Sequence, residues 1–178
     1  EHVDMVPAFA RLSHVTGTGI LTNYNWDTWH PRRRVIVQPL GARAVRQFHD
    51  RMLAVINDEL DQWTLGTHPD LTATVRTLTL RVVADLLFTT DLTDEAMEII
   101  DRATNEIHKW AEDDPANQNL DDEPASFRAG IDELDRFIRS VLATRSPENP
   151  GDDMVGWLIT ASQDPDMPLD AEGVRDEA

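Results

Sequence analysis

The feature that most restricts the fold of this chain is the spacing of apolar residues between Ala44 and Trp63. They recur every three or four positions, at Val45, Phe48, Met52, Ile56, Leu60 and Trp63. This period matches the turn of an α-helix and places the apolar side chains on one face. Similar spacing predicts helices over 93–110, 127–144 and 154–161. We therefore expect a mainly α-helical protein.

The segment Thr72–Phe88 is apolar on several sides. Its pattern fits either a buried helix or strand material, and its length favours the helix. Arg81 within this apolar run needs a partner if it is buried, and Asp85, four residues later, is the nearest candidate. Thr93, which precedes the next predicted helix, is suited to cap the start of that helix with its side chain.

Composition narrows the classes of function. The chain has 178 residues, no cysteine and a formal net charge of −17. The negative charge argues against nucleic-acid binding, which requires a basic face. No apolar run reaches the ~20 residues of a membrane-spanning helix, so we expect no membrane anchoring. The absence of cysteine excludes disulfides and thiolate metal sites, and the six histidines show no metal-binding spacing, so we predict no metal site on side chains of this chain.

A basic stretch, Gly19–Val45, stands out in this acidic chain, because Asp27 is its one acidic residue. Trp29 and Arg33 are four residues apart and would share a face of a helix. A guanidinium and an indole N–H together suit a carboxylate or phosphate. The spacing alone favours a simpler interpretation, in which Pro31 lies in the first turn, Trp29 packs in the core and the arginines are solvated. Three adjacent arginines cannot all share one face.

Several phrases, in this order, resemble the cytochrome P-450 family. The first is Gly-Ile-Leu-Thr at 19–22, followed by Trp-x-x-x-Arg-Arg at 29–34, Gln-Pro at 38–39 and Arg-Ala-Val at 43–45. The second is the apolar run 78–92, and the third is the phrase 170–177, which is similar to the opening of the family's long central helix. The resemblance implies a partial cytochrome P-450 fold in a single partial domain over 1–178. It would run from about helix B to the start of helix I, and the half that holds the haem ligand would be absent.

The resemblance assigns roles to residues of the basic stretch. Trp29 and Arg33 would hold a haem propionate, and His30 with Arg34 is an alternative pair in a register shifted by one residue. Gln38-Pro39 fits the second register better, whereas the residues that follow fit the first. Both registers stay open, and Trp29 with Arg33 is preferred.

The resemblance also divides the chain into segments. Residues 13–28 would form the loop between helices B and C, 29–45 the C-helix region, and 112–126 an acidic connection in the lid of the substrate channel. The loop would cover the haem and contribute to the substrate pocket, for which the candidate residues are His14, Val15, Thr18 and Ile20.

The function implied is that of a haem b-dependent monooxygenase of the soluble bacterial type, which places one oxygen atom of dioxygen in a small organic substrate. A ferredoxin, a flavodoxin or a fused reductase would supply electrons, and the location would be cytoplasmic. The family's iron ligand is a cysteine, and this chain has none. We therefore expect a piece of such an enzyme that has no catalytic residue of its own and does not retain haem alone. The alternative is a non-enzymatic helical remnant, or a helical domain that binds a small ligand or a protein.

Overall fold

The structure is a computed structural model, and it describes residues 11–64, 66, 70–88, 93–112, 121–165, 167 and 169–178. The first ten residues of the chain lie outside these ranges, and with them the apolar residues Val3, Val6 and Phe9, whose spacing predicts a helix at the start of the chain. Residues 113–120, the middle of the predicted acidic connection, also lie outside these ranges.

The described residues form eight α-helices. These are α1 (Ser13–Thr16), α2 (Trp26–Ile36), α3 (Ala42–Leu60), α4 (Leu71–Phe88), α5 (Asp94–Ile107), α6 (Ala125–Leu142), α7 (Met154–Ala161) and α8 (Ala171–Glu177). A 3-10 turn, Gln38–Leu40, follows α2, and a π-helical segment, His108–Glu112, continues α5. The described part contains no β-strand, only a single bridge between Ser146 and Asn149. The prediction of a mainly α fold is confirmed, and so is the helix over Thr72–Phe88.

Side-chain caps explain where several helices begin. Thr93 accepts a hydrogen bond from the Ala96 N–H, as predicted, and Asp170 caps α8 in the same way. The Asn25 side chain accepts from the Asp27 N–H, which starts α2 at Trp26. Pro31 therefore lies in the second turn of α2, and the prediction that it occupies the first turn was wrong.

The largest buried cluster lies where α5 packs against α6. It contains Ala103, Trp110, Phe127 and Ile131, and Leu12 and Val15 pack against it from the start of the described chain. The rings of Trp110 and Phe127 are 4.5 Å apart between centroids. This cluster fixes the segment 11–16 against the α5–α6 pair.

A second core joins α4, α7 and α8. The buried residues Ala84, Phe88 and Val155 form the contact of α4 with α7. Leu158 of α7 packs with Leu169 and Val174, which positions α8. The order of these contacts brings the last helix of the chain back towards α1 and α2.

A buried ion pair holds the loop before α7. The Arg145 guanidinium donates to both carboxylate oxygens of Asp153, at 2.6 and 2.7 Å, and to the carbonyls of Pro150 and Phe88. The Asp153 carboxylate also caps α7 by accepting from the Gly156 N–H. Because Asp153 is buried and the Arg145 side chain is only 11% exposed, each charge needs the partner that the other supplies.

Ion pairs between α3 and α4 correct one sequence prediction. Asp85 accepts from the Arg51 Nε at 3.0 Å, whereas Arg81 lies 3.8 Å from a carboxylate oxygen of Glu59. The predicted pair Arg81–Asp85 was wrong. Helix α3 supplies Arg51 as the partner of Asp85 and Glu59 as the partner of Arg81. The spacing of residues within α4 cannot indicate these partners.

We predict that Phe127→Ala lowers the free energy of unfolding by about 3–5 kcal/mol, because it removes a fully buried ring and leaves a cavity. The matched control is Leu71→Ala, since that side chain is 59% exposed; its effect should stay within about 0.5 kcal/mol. Urea denaturation followed by circular dichroism measures both. Equal losses in the two variants would contradict the assignment of the core.

Candidate functional site

The exposed face of α2 combines aromatic rings with cations. Trp26 stacks on Trp29 and on His30, with ring centroids 5.2 and 5.3 Å apart. The Arg33 guanidinium lies over the Trp29 ring, 5.3 Å from its centroid. The i, i+4 spacing thus brings Trp29 and Arg33 into contact. His30, Arg33 and Arg34 are exposed.

Within the described residues, Arg33 and Arg34 make no hydrogen bond or ion pair, so both guanidinium groups are available to an anion. The Trp29 indole N–H, by contrast, donates to the Ile20 carbonyl at 3.0 Å. Trp29 therefore fastens the preceding loop to α2 and offers its ring face to Arg33. The predicted propionate pairs, Trp29 with Arg33 and His30 with Arg34, stay predictions.

Arg32 points away from its two neighbours, which agrees with the prediction that three adjacent arginines cannot share a face. Its Nη1 donates to the carbonyl of Thr18 at 2.8 Å and to the Thr18 hydroxyl at 3.1 Å. The same atom lies 3.8 Å from a carboxylate oxygen of Glu177, and the Arg32 side chain is only 11% exposed. Arg32 is a structural cation that connects α2, the loop and α8.

Two carboxylates at the end of α8, those of Asp176 and Glu177, accept hydrogen bonds from this loop. Asp176 accepts from the Thr18 N–H at 2.7 Å and from its hydroxyl at 3.1 Å. Both oxygens of Glu177 accept from the Ile20 N–H, at 3.1 and 3.2 Å. Burial raises the pKa of Glu177, although the Ile20 N–H and the nearby Arg32 oppose that shift.

The loop approaches α8 so closely that side chains are excluded at two positions. Gly17 has φ of 53°, and a Cβ there would overlap the Asp176 carboxylate. A Cβ on Gly19 would lie 2.6 Å from the Asp176 carbonyl oxygen. Glycine is therefore required at 17 for its backbone conformation and at 19 for contact distance.

The four predicted pocket residues lie in three different environments. His14 pairs with Glu123 and meets the Trp110 ring edge-on, with centroids 5.3 Å apart. Val15 lines an apolar cavity of about 190 Å³ between α1, α6 and α8, whose other apolar walls are Ile131, Leu134, Ile138 and Ala178. The N–H groups of Thr18 and Ile20 donate hydrogen bonds to Asp176 and Glu177 of α8. A shared role of the four in a substrate pocket stays a prediction.

Sequence reasoning did not identify Arg11. This buried side chain donates to the Trp110 carbonyl at 2.6 Å and to both oxygens of Asp122, at 3.0 and 3.1 Å. Asp122 also accepts from the Trp110 indole N–H at 3.1 Å. Arg11 and His14 thus join the segment before α2 to the residues that lead into α6. No local pattern indicates these pairs, because their members are about a hundred residues apart.

Comparison with known proteins supports the fold. No protein-family model matches the sequence, and no curated protein matches it. A solved structure described as the crystal structure of the cytochrome P450DA heme domain superposes with a TM-score of 0.76 at 19% identity. The match covers 96% of this chain and 39% of that one. The chain therefore has part of the cytochrome P-450 haem-domain fold, and it spans well under half the length of that domain.

The described residues lack two kinds of feature. No helix among them is both long and apolar enough to cross a lipid bilayer. Nor do three or more histidine, aspartate or glutamate side chains come together there as a group that could hold a metal ion.

The raised pKa of Glu177 gives a prediction with a definite sign. A carboxyl group that holds its proton more tightly when folded stabilises the fold most below its ordinary pKa of 4.5, and that contribution is lost as pH rises through the folded pKa. Glutamine has no such dependence. The stability of Glu177→Gln relative to the unmodified chain should therefore increase as pH rises from 4.5 to neutrality, in urea unfolding over a pH series.

Asp135 serves as a control of opposite sign. Burial raises its pKa, but hydrogen bonds from Arg139 and Arg175 outweigh that effect and lower the pKa below 3.8. The stability that Asp135 contributes is present above 3.8 and is lost as pH falls through the folded value. Asp135→Asn should therefore be least stable, relative to the unmodified chain, near neutral pH. A difference that does not change with pH in either variant would contradict the corresponding assignment.

Proposed function

We propose that this chain is part of a haem-dependent monooxygenase and that the exposed face of α2 holds the haem propionates. The observation that carries the proposal is the pair of available guanidinium groups on α2, Arg33, which lies over the Trp29 ring, and its neighbour in sequence, Arg34. A propionate is a carboxylate, which an arginine binds through two parallel hydrogen bonds. In a chain of net charge −17, such an unpaired basic face is suited to an anionic ligand.

The residues around this face fit a haem. Leu21 and Tyr24 before α2 and Trp26 at its start are 62%, 54% and 64% exposed and offer apolar surface, and Trp26 stacks on Trp29 and His30. A porphyrin with an apolar body and two carboxylates matches both kinds of group. When bound, the haem iron supplies the activation of dioxygen, while the protein orients the cofactor and substrate. A cysteine ligand for that iron would have to come from outside these 178 residues.

The remaining partners are proposals of the same kind. A small organic substrate would approach from the side of Val15, where apolar side chains of α6 line the cavity. Electrons would come from a ferredoxin, a flavodoxin or a fused reductase.

A second candidate is a non-enzymatic helical domain that binds a protein through α3 and α4. Exposed apolar side chains favour it, namely Leu53, Leu60, Trp63, Leu71, Val75 and Val83, which are 42–59% exposed. A surface of this kind is typical of an interaction site. In the monooxygenase proposal, the same surface packs against the rest of the haem domain.

The coding DNA on both sides of these 178 codons separates the two candidates. The monooxygenase proposal expects an open frame that continues into a Glu-x-x-Arg helix and a loop with a cysteine. A stop codon directly after Ala178 would overturn that proposal and leave the helical binding domain.

In a longer protein with that cysteine, we predict that Arg33→Ala weakens haem binding about 10- to 150-fold, since one charge-assisted hydrogen bond contributes about 1.5–3 kcal/mol. Titration of the apoprotein with haem b, followed by Soret absorbance, measures the affinity. Arg136→Ala is the matched control, because this exposed arginine lies on α6 and its Nε donates to the Asp132 carbonyl.

Arg34→Ala distinguishes the two registers. Loss of affinity in Arg34→Ala with none in Arg33→Ala would assign the propionate to the pair His30 and Arg34. Unchanged affinity in both variants would show that the face of α2 does not bind the haem.

A further inference from the structure

The backbone of Ile20 is held from two sides. Its N–H donates to both carboxylate oxygens of Glu177, at 3.1 and 3.2 Å, and its carbonyl accepts the indole N–H of Trp29 at 3.0 Å. One residue of the loop therefore connects a carboxylate on α8 to an aromatic ring on α2. We propose that Glu177 is a positioning residue, which sets the orientation of the Trp29 ring through Ile20.

Burial makes this connection strong. The Glu177 side chain is 4% exposed, so little water is in reach to compensate for loss of the Ile20 N–H as a hydrogen-bond donor. The charged groups that face it are Arg32 from α2, 3.8 Å away, and Asp176 from α8. Asp176 is in turn bonded to Arg175, which pairs with Asp135 of α6.

The partners of Arg32 extend the same contact. Its guanidinium lies near Glu177 and donates to the Thr18 carbonyl, so it draws the loop and the carboxylate together. Thr18 is also held by Asp176. Four side chains, those of Arg32, Asp176, Glu177 and Trp29, thus form hydrogen bonds with the segment Thr18–Ile20, and the close approach at Gly19 leaves no space for a side chain. These contacts fix the position of the loop on α8. The Ile20 carbonyl, which accepts the indole N–H of Trp29, in turn fixes the position of Trp29.

The significance of this positioning rests on the proposed function. Arg33 lies over the ring of Trp29, so the orientation of the ring determines where that guanidinium meets an anion. Glu177 would then influence propionate binding without touching the haem. The positioning itself is a property of this chain and can be measured with no haem present.

The experiment is a pH titration of the ¹⁵N-labelled chain by NMR, with Trp29→Phe used to assign the indole signal. In the unmodified chain, the Ile20 amide and the Trp29 indole signals should shift together, with one midpoint above 4.5, the ordinary pKa of glutamate, because burial raises the pKa of Glu177. In Glu177→Gln both signals should lose that midpoint. The Ile20 amide should also exchange about tenfold faster at neutral pH, as loss of a charge-assisted hydrogen bond implies.

Glu172→Gln is the matched control, because this acid lies on the same helix and pairs with Arg139 at the surface. It should leave the shared midpoint unchanged. Gly19→Ala tests the same contact between the loop and α8 without altering a carboxylate. The added methyl group would separate the loop from α8, so the Trp29 indole signal should lose its link to the Ile20 midpoint.

Separate outcomes decide the two proposals. A Trp29 signal that keeps the same pH profile in Glu177→Gln would overturn the positioning role, whether or not the longer protein binds haem. If the profile is lost as expected and the longer protein fails to bind haem, the positioning role stands and the proposed function fails. If haem binds, Glu177→Gln should weaken its binding about tenfold or less, a smaller effect than that of Arg33→Ala, because Glu177 acts through Ile20 and Trp29.

Discussion

Two carboxylates at the end of α8 decide how the loop before α2 is placed. Asp176 and Glu177 accept backbone N–H groups of Thr18 and Ile20, residues 158 and 157 positions earlier in the chain. A loop with no packed core of its own needs such partners, since buried backbone groups must be paired. Arg32 lies near the Glu177 carboxylate and donates to the Thr18 carbonyl. These contacts explain why its side chain is mostly shielded from solvent, although its neighbours Arg33 and Arg34 are exposed.

Much of the remaining architecture follows the same principle, in which a buried charge joins distant segments. Arg11, two residues before α1, pairs with Asp122, and Arg145 links Phe88 at the end of α4 to Asp153 at the start of α7. Exposed ion pairs contribute little to stability, but a buried pair that loses one member costs several kcal/mol. These two ion pairs connect particular segments of the chain, whereas the apolar clusters around Phe127 and Leu158 supply most of the favourable free energy.

The helices could be predicted from the sequence because their signal is local. Apolar spacing predicted α3, α6 and α7 to within a few residues, and length chose a helix for α4. The order of short phrases predicted the partial cytochrome P-450 fold. The pairing of charges could not be predicted: Arg81 was assigned to Asp85 by spacing, whereas the packing of α3 on α4 supplied Glu59. The roles of Glu177 and Arg11 depend on partners about a hundred or more residues away. For the propionate residues, the structure adds position and contacts, and their role is a proposal.

The length of chain between Ile20 and Glu177 has a consequence for biosynthesis. A ribosome adds about 5–20 residues per second, so roughly 8–30 s pass between the synthesis of these two residues. During that interval α2 can form, but Asp176 and Glu177, which accept hydrogen bonds from the loop before α2, have not yet been synthesised. The cluster of α5 with α6 is complete earlier, once Ile131 has been made. The candidate haem face is therefore among the last parts of this chain to reach its final geometry, although it is encoded near the beginning.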